Sequence, residues 1–153
     1  MTTPIEKLRA YGYELTRPTP PVATYVPVVR SGNTLYVSGQ ISSSADGPVT
    51  GLLGENMNVQ QGSNAAELAA VKVLSEIVYS GGIELTQIKR VLKLTVFVAS
   101  TAQFGEQHLV ANGASNLIVG VLGDAGRHAR AAFGVSALPL GAAVEVEAIV
   151  EIE

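Results

Sequence analysis

The chain has 153 residues, a length that fits one domain, and only 15% of them are charged against 47% hydrophobic. So few charges exclude disorder. A net charge of −3 with no basic runs makes nucleic acid a poor partner, and the absence of cysteine excludes disulfides, zinc thiolates and thiol nucleophiles.

The N-terminus is too polar for a signal peptide, and no apolar run reaches the roughly 18 residues that span a membrane. The expectation is a cytoplasmic protein whose single domain runs over 1–153. The low charge also points to some surface being buried by self-association.

Thr3-Pro4-Ile5-Glu6 predicts a helix start, with a hydroxyl cap, proline at the first helical position and an acid in the first turn. This short helix over 3–11 ends at Gly12. Three prolines within 17–21 predict an extended connector. Residues 24–30 and 34–41 are rich in β-formers and flank Ser31-Gly32-Asn33, which predicts a hairpin. Residues 42–58 show no period and read as a long loop, a feature that compact domains keep mostly for function.

The clearest helix is 59–80, where Leu68, Val71, Leu74 and Val78 line one face before Gly81-Gly82. Residues 88–98 predict a strand. A second long helix over 104–122 carries the stripe Val110, Ala114, Leu117, Ile118 and Val121. Gly113 and Gly120 weaken it by roughly 1 kcal/mol each. After the turn at 123–126 come strands over 131–137 and 143–152. The order of hairpin, helix, strand, helix, strand, strand predicts an α+β fold, with two helices on one face of a mixed sheet.

The last strand alternates. Val144, Val146, Ala148, Val150 and Ile152 face one way, and Glu145, Glu147, Ile149, Glu151 and Glu153 the other. A solvated acidic face is the plain reading. Ile149 interrupts that face, and a partly enclosed glutamate there can hold a water or act as an acid or base. Arg130 enters an apolar strand, where its guanidinium must stay hydrated or paired. It suits a two-point grip on a carboxylate, or it belongs with Arg127 and His128 to a surface turn.

Ser38-Gly39-Gln40 reads either as a β-bulge or as a place where a ligand or backbone comes close. Tyr25 is either a site phenol or an ordinary half-buried aromatic. His108 and His128 have no companions at metal-ligand spacing, and no phosphate loop or nucleophile elbow is present. From the residues alone, the chain is an α+β domain that binds a small acid.

Three segments, in order and at matching spacing, carry a resemblance. The first is Gly32-Asn33-Thr34-Leu35-Tyr36-Val37-Ser38-Gly39-Gln40-Ile41. The second is the strand Val91 through Val98. The third is Arg130, then Leu138-Pro139, then Val144-Glu145-Val146-Glu147-Ala148. From about Tyr25 onward the chain resembles the RidA/YjgF/UK114 family.

The resemblance implies a chorismate-mutase-like fold and a homotrimer with clefts between subunits. It also implies hydrolysis of reactive enamines and 2-imino acids, such as 2-aminoacrylate, to 2-oxo acids and ammonia without a cofactor or metal. On the matching positions, Arg130 grips the substrate carboxylate and Glu145 holds the attacking water. Tyr25, Ser38, Gly39 and Asn112 contribute to binding.

The chain departs from the compact members in its N-terminal helix, its longer loop after Ile41 and added residues around 108–127. Ala132 stands where a cysteine is common. These departures point to a divergent subfamily with a differently shaped pocket. The competing expectations are a non-catalytic, small-acid-binding or regulatory trimer and, less well supported by the acidic composition, an endoribonuclease or translation inhibitor.

Overall fold

The computed structural model describes residues 2–153. Helix α1, Pro4–Ala10, is closed by a capping box in which Thr3 and Glu6 satisfy each other's backbone N–H groups. Strands β1, Val28–Ser31, and β2, Thr34–Ile41, form the expected hairpin. The first strand starts later than the sequence predicts. Pro27 has no N–H to give a ladder, so 24–27 stays outside the strand.

Within the predicted loop, the two short strands β3, Ser43–Ser44, and β4, Gly47–Pro48, make a small separate hairpin. Helix α2 is Val59–Tyr79, strand β5 Ile88–Ala99, helix α3 Gln107–Leu122, strand β6 Ala129–Val135 and strand β7 Val144–Ile152. The sixth strand thus begins two residues before the predicted start, because its pairing with β5 already begins at Lys93–Ala129.

The five long strands lie in the order β1-β2-β7-β5-β6. All neighbours are antiparallel except β5 and β6, whose parallel pairing requires the crossover that α3 provides. The C-terminal strand β7 is therefore central. Helices α2 and α3 pack together and cover one face. The core lies between them and the inward residues of the sheet, among them Leu35, Leu94, Val96, Val146, Val150 and Leu117.

Helix α2 starts where Asn58 and Gln61 form a second capping box. Asn58→Ala is expected to cost about 1 kcal/mol, read as a drop of roughly 2–4 °C in Tm. The inner face of α2 carries four alanines (Ala65, Ala66, Ala69 and Ala70), and such small residues let α3 approach closely. Gly113 on α3 meets the Ser63 carbonyl of α2 in that contact. The glycine that weakens the sequence-level helix is what the packing requires.

The residues before β1 strap the outer side of the helices. Tyr11 lies against Gly120, Tyr13 donates to the Glu67 carboxylate, and the Arg17 guanidinium sits 4.9 Å from the Tyr79 ring centre. Burial, then the hydrogen bond and charge of Glu67, push the Tyr13 phenol far up.

Among the described residues, no helix covers the opposite face of the sheet. It carries exposed Val29, Tyr36 and Phe133 with half-buried Phe97 and Ile149 among its acids. Phe97 and Phe133 meet edge to face at 5.2 Å. Among the described residues, no helix is long and apolar enough to cross a membrane.

Candidate active site

Arg130 pairs in register with Leu94, which is fully buried on the helix side, so its side chain leaves β6 on that face. There it meets α3. Asn112 and Ser115 stand three residues apart, hence on one side of the helix. Arg130 Nη1 donates to Asn112 Oδ1 at 2.9 Å and to Ser115 Oγ at 3.2 Å, and Nη2 donates to the His108 carbonyl at 3.3 Å.

A guanidinium has five N–H donors. Three are committed here, and two remain for a ligand. Among the described residues, no carboxylate forms an ion pair with Arg130. The charge is held in place by neutral groups, exposed and uncompensated. Ala132 and Gly134 follow on the same face and keep the strand low beside it.

Glu145 belongs to the other face. It pairs with Phe97 of β5 and Ile41 of β2, and its side chain is half-buried. The register of β2 shifts between Val37 and Gln40, so Ser38-Gly39 forms the irregularity that the sequence left open. This places Gly39 against Glu145. A Cβ built on Gly39 would lie 2.5 Å from Glu145 Oε1, so no side chain fits there without moving the carboxylate.

Glu145, Gly39, Gln40, Tyr25, Pro27 and Pro139 line part of a cavity of about 250 Å³. Burial, and then the charge of Glu147, raise the pKa of Glu145 above the ordinary glutamate value. Ser38 stands beside this group. Its hydroxyl donates to the Val26 carbonyl at 2.8 Å and its N–H to the Pro27 carbonyl at 2.8 Å. It thereby fixes the segment that carries exposed Tyr25.

Within one chain the six sequence-derived residues thus form two groups. Arg130 and Asn112 meet on the helix side of the sheet edge. Tyr25, Ser38, Gly39 and Glu145 gather around the bulge. The two groups are separated by β5 and face opposite ways.

Sequence reasoning did not find Ser115, which shares the Arg130 contact. The signal was its three-residue spacing from Asn112. It also weighed His128 only as a turn residue and as a metal-ligand candidate it rejected, although His128 Nε2 lies 2.9 Å from Ser115 Oγ.

The comparisons with known proteins agree with this fold. A family model described as Endoribonuclease L-PSP matches residues 16–152. Protein TCP17 of Trypanosoma cruzi is 47% identical over 147 residues, covering 95% of this chain and 91% of that protein. The crystal structure of Atu1372 from Agrobacterium tumefaciens, described as of unknown function, superposes with a TM-score of 0.89 at 49% identity. It covers 99% of this chain and 94% of that one.

The 2-iminobutanoate/2-iminopropanoate deaminase of Rattus norvegicus is 34% identical over 128 residues, 84% of this chain and 80% of that enzyme. A family match across nearly the whole chain, together with higher identity to proteins without a named activity than to the deaminase, leads to one statement. The chain belongs to the RidA/YjgF/L-PSP family, on a branch that has diverged from the named deaminases.

Proposed function

We propose that the protein hydrolyses reactive enamines and 2-imino acids to 2-oxo acids and ammonia, in clefts between the subunits of a homotrimer. The observation that carries this reading is Arg130, anchored by three neutral acceptors with two N–H groups left for a ligand and, among the described residues, no acidic partner. Such a group is built to take a carboxylate from outside the chain.

Because Glu145 faces away from Arg130 in its own chain, a second copy has to supply it. The apolar residues on the uncovered sheet face, Val29, Tyr36, Ile149 and Phe133, support association through that face.

The chemistry asks little of the protein beyond positioning. Arg130 binds the substrate carboxylate and Asn112 keeps the guanidinium oriented. Glu145, in its carboxylate form, takes a proton from a water as the water oxygen bonds to the imine carbon. With the imine nitrogen already protonated, the C=N electron pair moves to nitrogen, giving a neutral carbinolamine. Nitrogen then takes the proton back from Glu145, the C–N bond breaks and ammonia leaves, while the hydroxyl passes its proton to the restored Glu145 carboxylate as C=O forms, and that proton goes on to solvent. Tyr25 and Gly39 bound the space in which this happens.

A carboxylate that must accept a proton fails when protonated. Activity is therefore expected to fall with decreasing pH through the Glu145 titration, above the ordinary glutamate range. Glu147→Gln removes one of the two causes of the raised value. A pH profile of kcat/KM should then show the acid limb moved to lower pH.

The direct test generates a 2-imino acid with an amino-acid oxidase in the presence of semicarbazide. Wild type should lower the trapped product over a range of substrates. No effect with any of them would turn the assignment to the second reading, a small-acid-binding trimer without turnover. That reading has the support that TCP17 and Atu1372, at 47% and 49% identity, bear no named activity.

A further inference from the structure

Behind Arg130 lies a chain of hydrogen bonds that the deaminase reading does not use. His128 Nδ1 is 2.6 Å from the Gly126 carbonyl oxygen. A carbonyl oxygen only accepts, so Nδ1 carries the proton. In the neutral ring Nε2 is then an acceptor, and its neighbour at 2.9 Å is Ser115 Oγ. The serine proton therefore points at His128. This turns a lone pair of Ser115 toward Arg130, whose Nη1 donates to it at 3.2 Å.

Each bond fixes the direction of the next, from backbone carbonyl to imidazole to hydroxyl to guanidinium. Both side chains are half-buried. Ser115 comes from α3, while His128 and Arg130 flank one residue at the start of β6.

We propose that Ser115 and His128 are positioning residues that set Arg130 for carboxylate binding, with His128 as the Nδ1–H tautomer. This rests on the reading of Arg130 as the carboxylate grip. Asn112 and the His108 carbonyl hold the guanidinium at two other points, so loss of Ser115 weakens its orientation without removing it.

The experiment is a calorimetric titration of the full chain with 2-oxobutanoate, alongside long-range ¹H–¹⁵N spectra of the two histidines. Ser115→Ala should weaken binding roughly fivefold, and Ser115→Thr should restore it. His128→Ala should weaken binding to a similar extent. In turnover the serine change should appear in KM with kcat nearly unchanged. The spectra should show the neutral His128 ring with its proton on Nδ1 and none on Nε2.

If wild type binds but Ser115→Ala binds equally well, or if the neutral His128 ring carries its proton on Nε2, the positioning role is wrong and the carboxylate grip survives. If wild type binds no 2-oxo acid, the grip itself is wrong and the positioning role falls with it.

Discussion

Replacing Arg130 by alanine is expected to lower kcat/KM for 2-imino acids by roughly 10²- to 10⁴-fold while leaving the melting temperature nearly unchanged. The activity loss follows from the two free N–H groups. Each hydrogen bond to a charged acceptor is worth about 1.5–3 kcal/mol, and both vanish together.

The stability result follows from placement. Arg130 lies exposed on an edge strand, its three partners are all neutral, and no buried charge is left behind when it goes. Arg130→Lys should recover part of the loss, since it keeps the charge and loses the planar fork. Steady-state kinetics of the three proteins, with a thermal melt of each, decides the matter. An Arg130→Ala protein that turns over at the wild-type rate would remove the carboxylate grip from the mechanism.

The second large effect is on the fold. Gly113→Ala should destabilise the protein by about 2 kcal/mol, a fall of roughly 4–8 °C in Tm. At an exposed helix position the same change would add about 1 kcal/mol of stability, so the sign of the result is the test. The reason for loss is that a Cβ at Gly113 would run into the Ser63 backbone carbonyl of α2, well inside van der Waals contact. Backbone in a packed helix cannot step aside as a side-chain tip can. Gly120→Ala offers the comparison. Its obstacle is the Tyr11 hydroxyl at the end of a movable side chain, and it should cost less.

How much could be read beforehand differs from element to element. The alternation from Val144 to Ile152 gave both the strand and its two faces, because a period of two leaves one solution for each side chain. Helix α3 was equally legible from its apolar stripe, whereas α2 was legible as a helix but not in its face: Leu68 and Val78 stay half-buried, and the core side carries Ala65, Ala66, Ala69, Ala70, Val73 and Ile77, small residues that give little contrast. Strand β6 was expected as a strand, but its faces were not legible, since Ala131, Ala132 and Gly134 carry no contrast between an inner and an outer side. The face that Arg130 takes is set by its parallel register with β5, across a helical crossover, and no local pattern encodes that register.

For the same reason the sequence could place Arg130 and Glu145 near the starts of two strands without showing that the strands turn them opposite ways. The contact of Gly39 with Glu145 depends on a pairing of residues more than a hundred positions apart. Only the irregularity itself was visible, as a glycine in a strand.

The position of β7 has a consequence for how the molecule is made. It is the bridge between the β1–β2 hairpin and the β5–β6 pair, and it is synthesised after all of them. Until it emerges, β2 and β5 each present an unpaired edge that nothing else in the chain can satisfy. The helices can form early, while the sheet must wait for its centre. Closure of the sheet is therefore expected to wait until β7 has been made and to be slowed by the long loop that β2–β7 pairing closes. A chain stalled before Val144 should aggregate through these two edges.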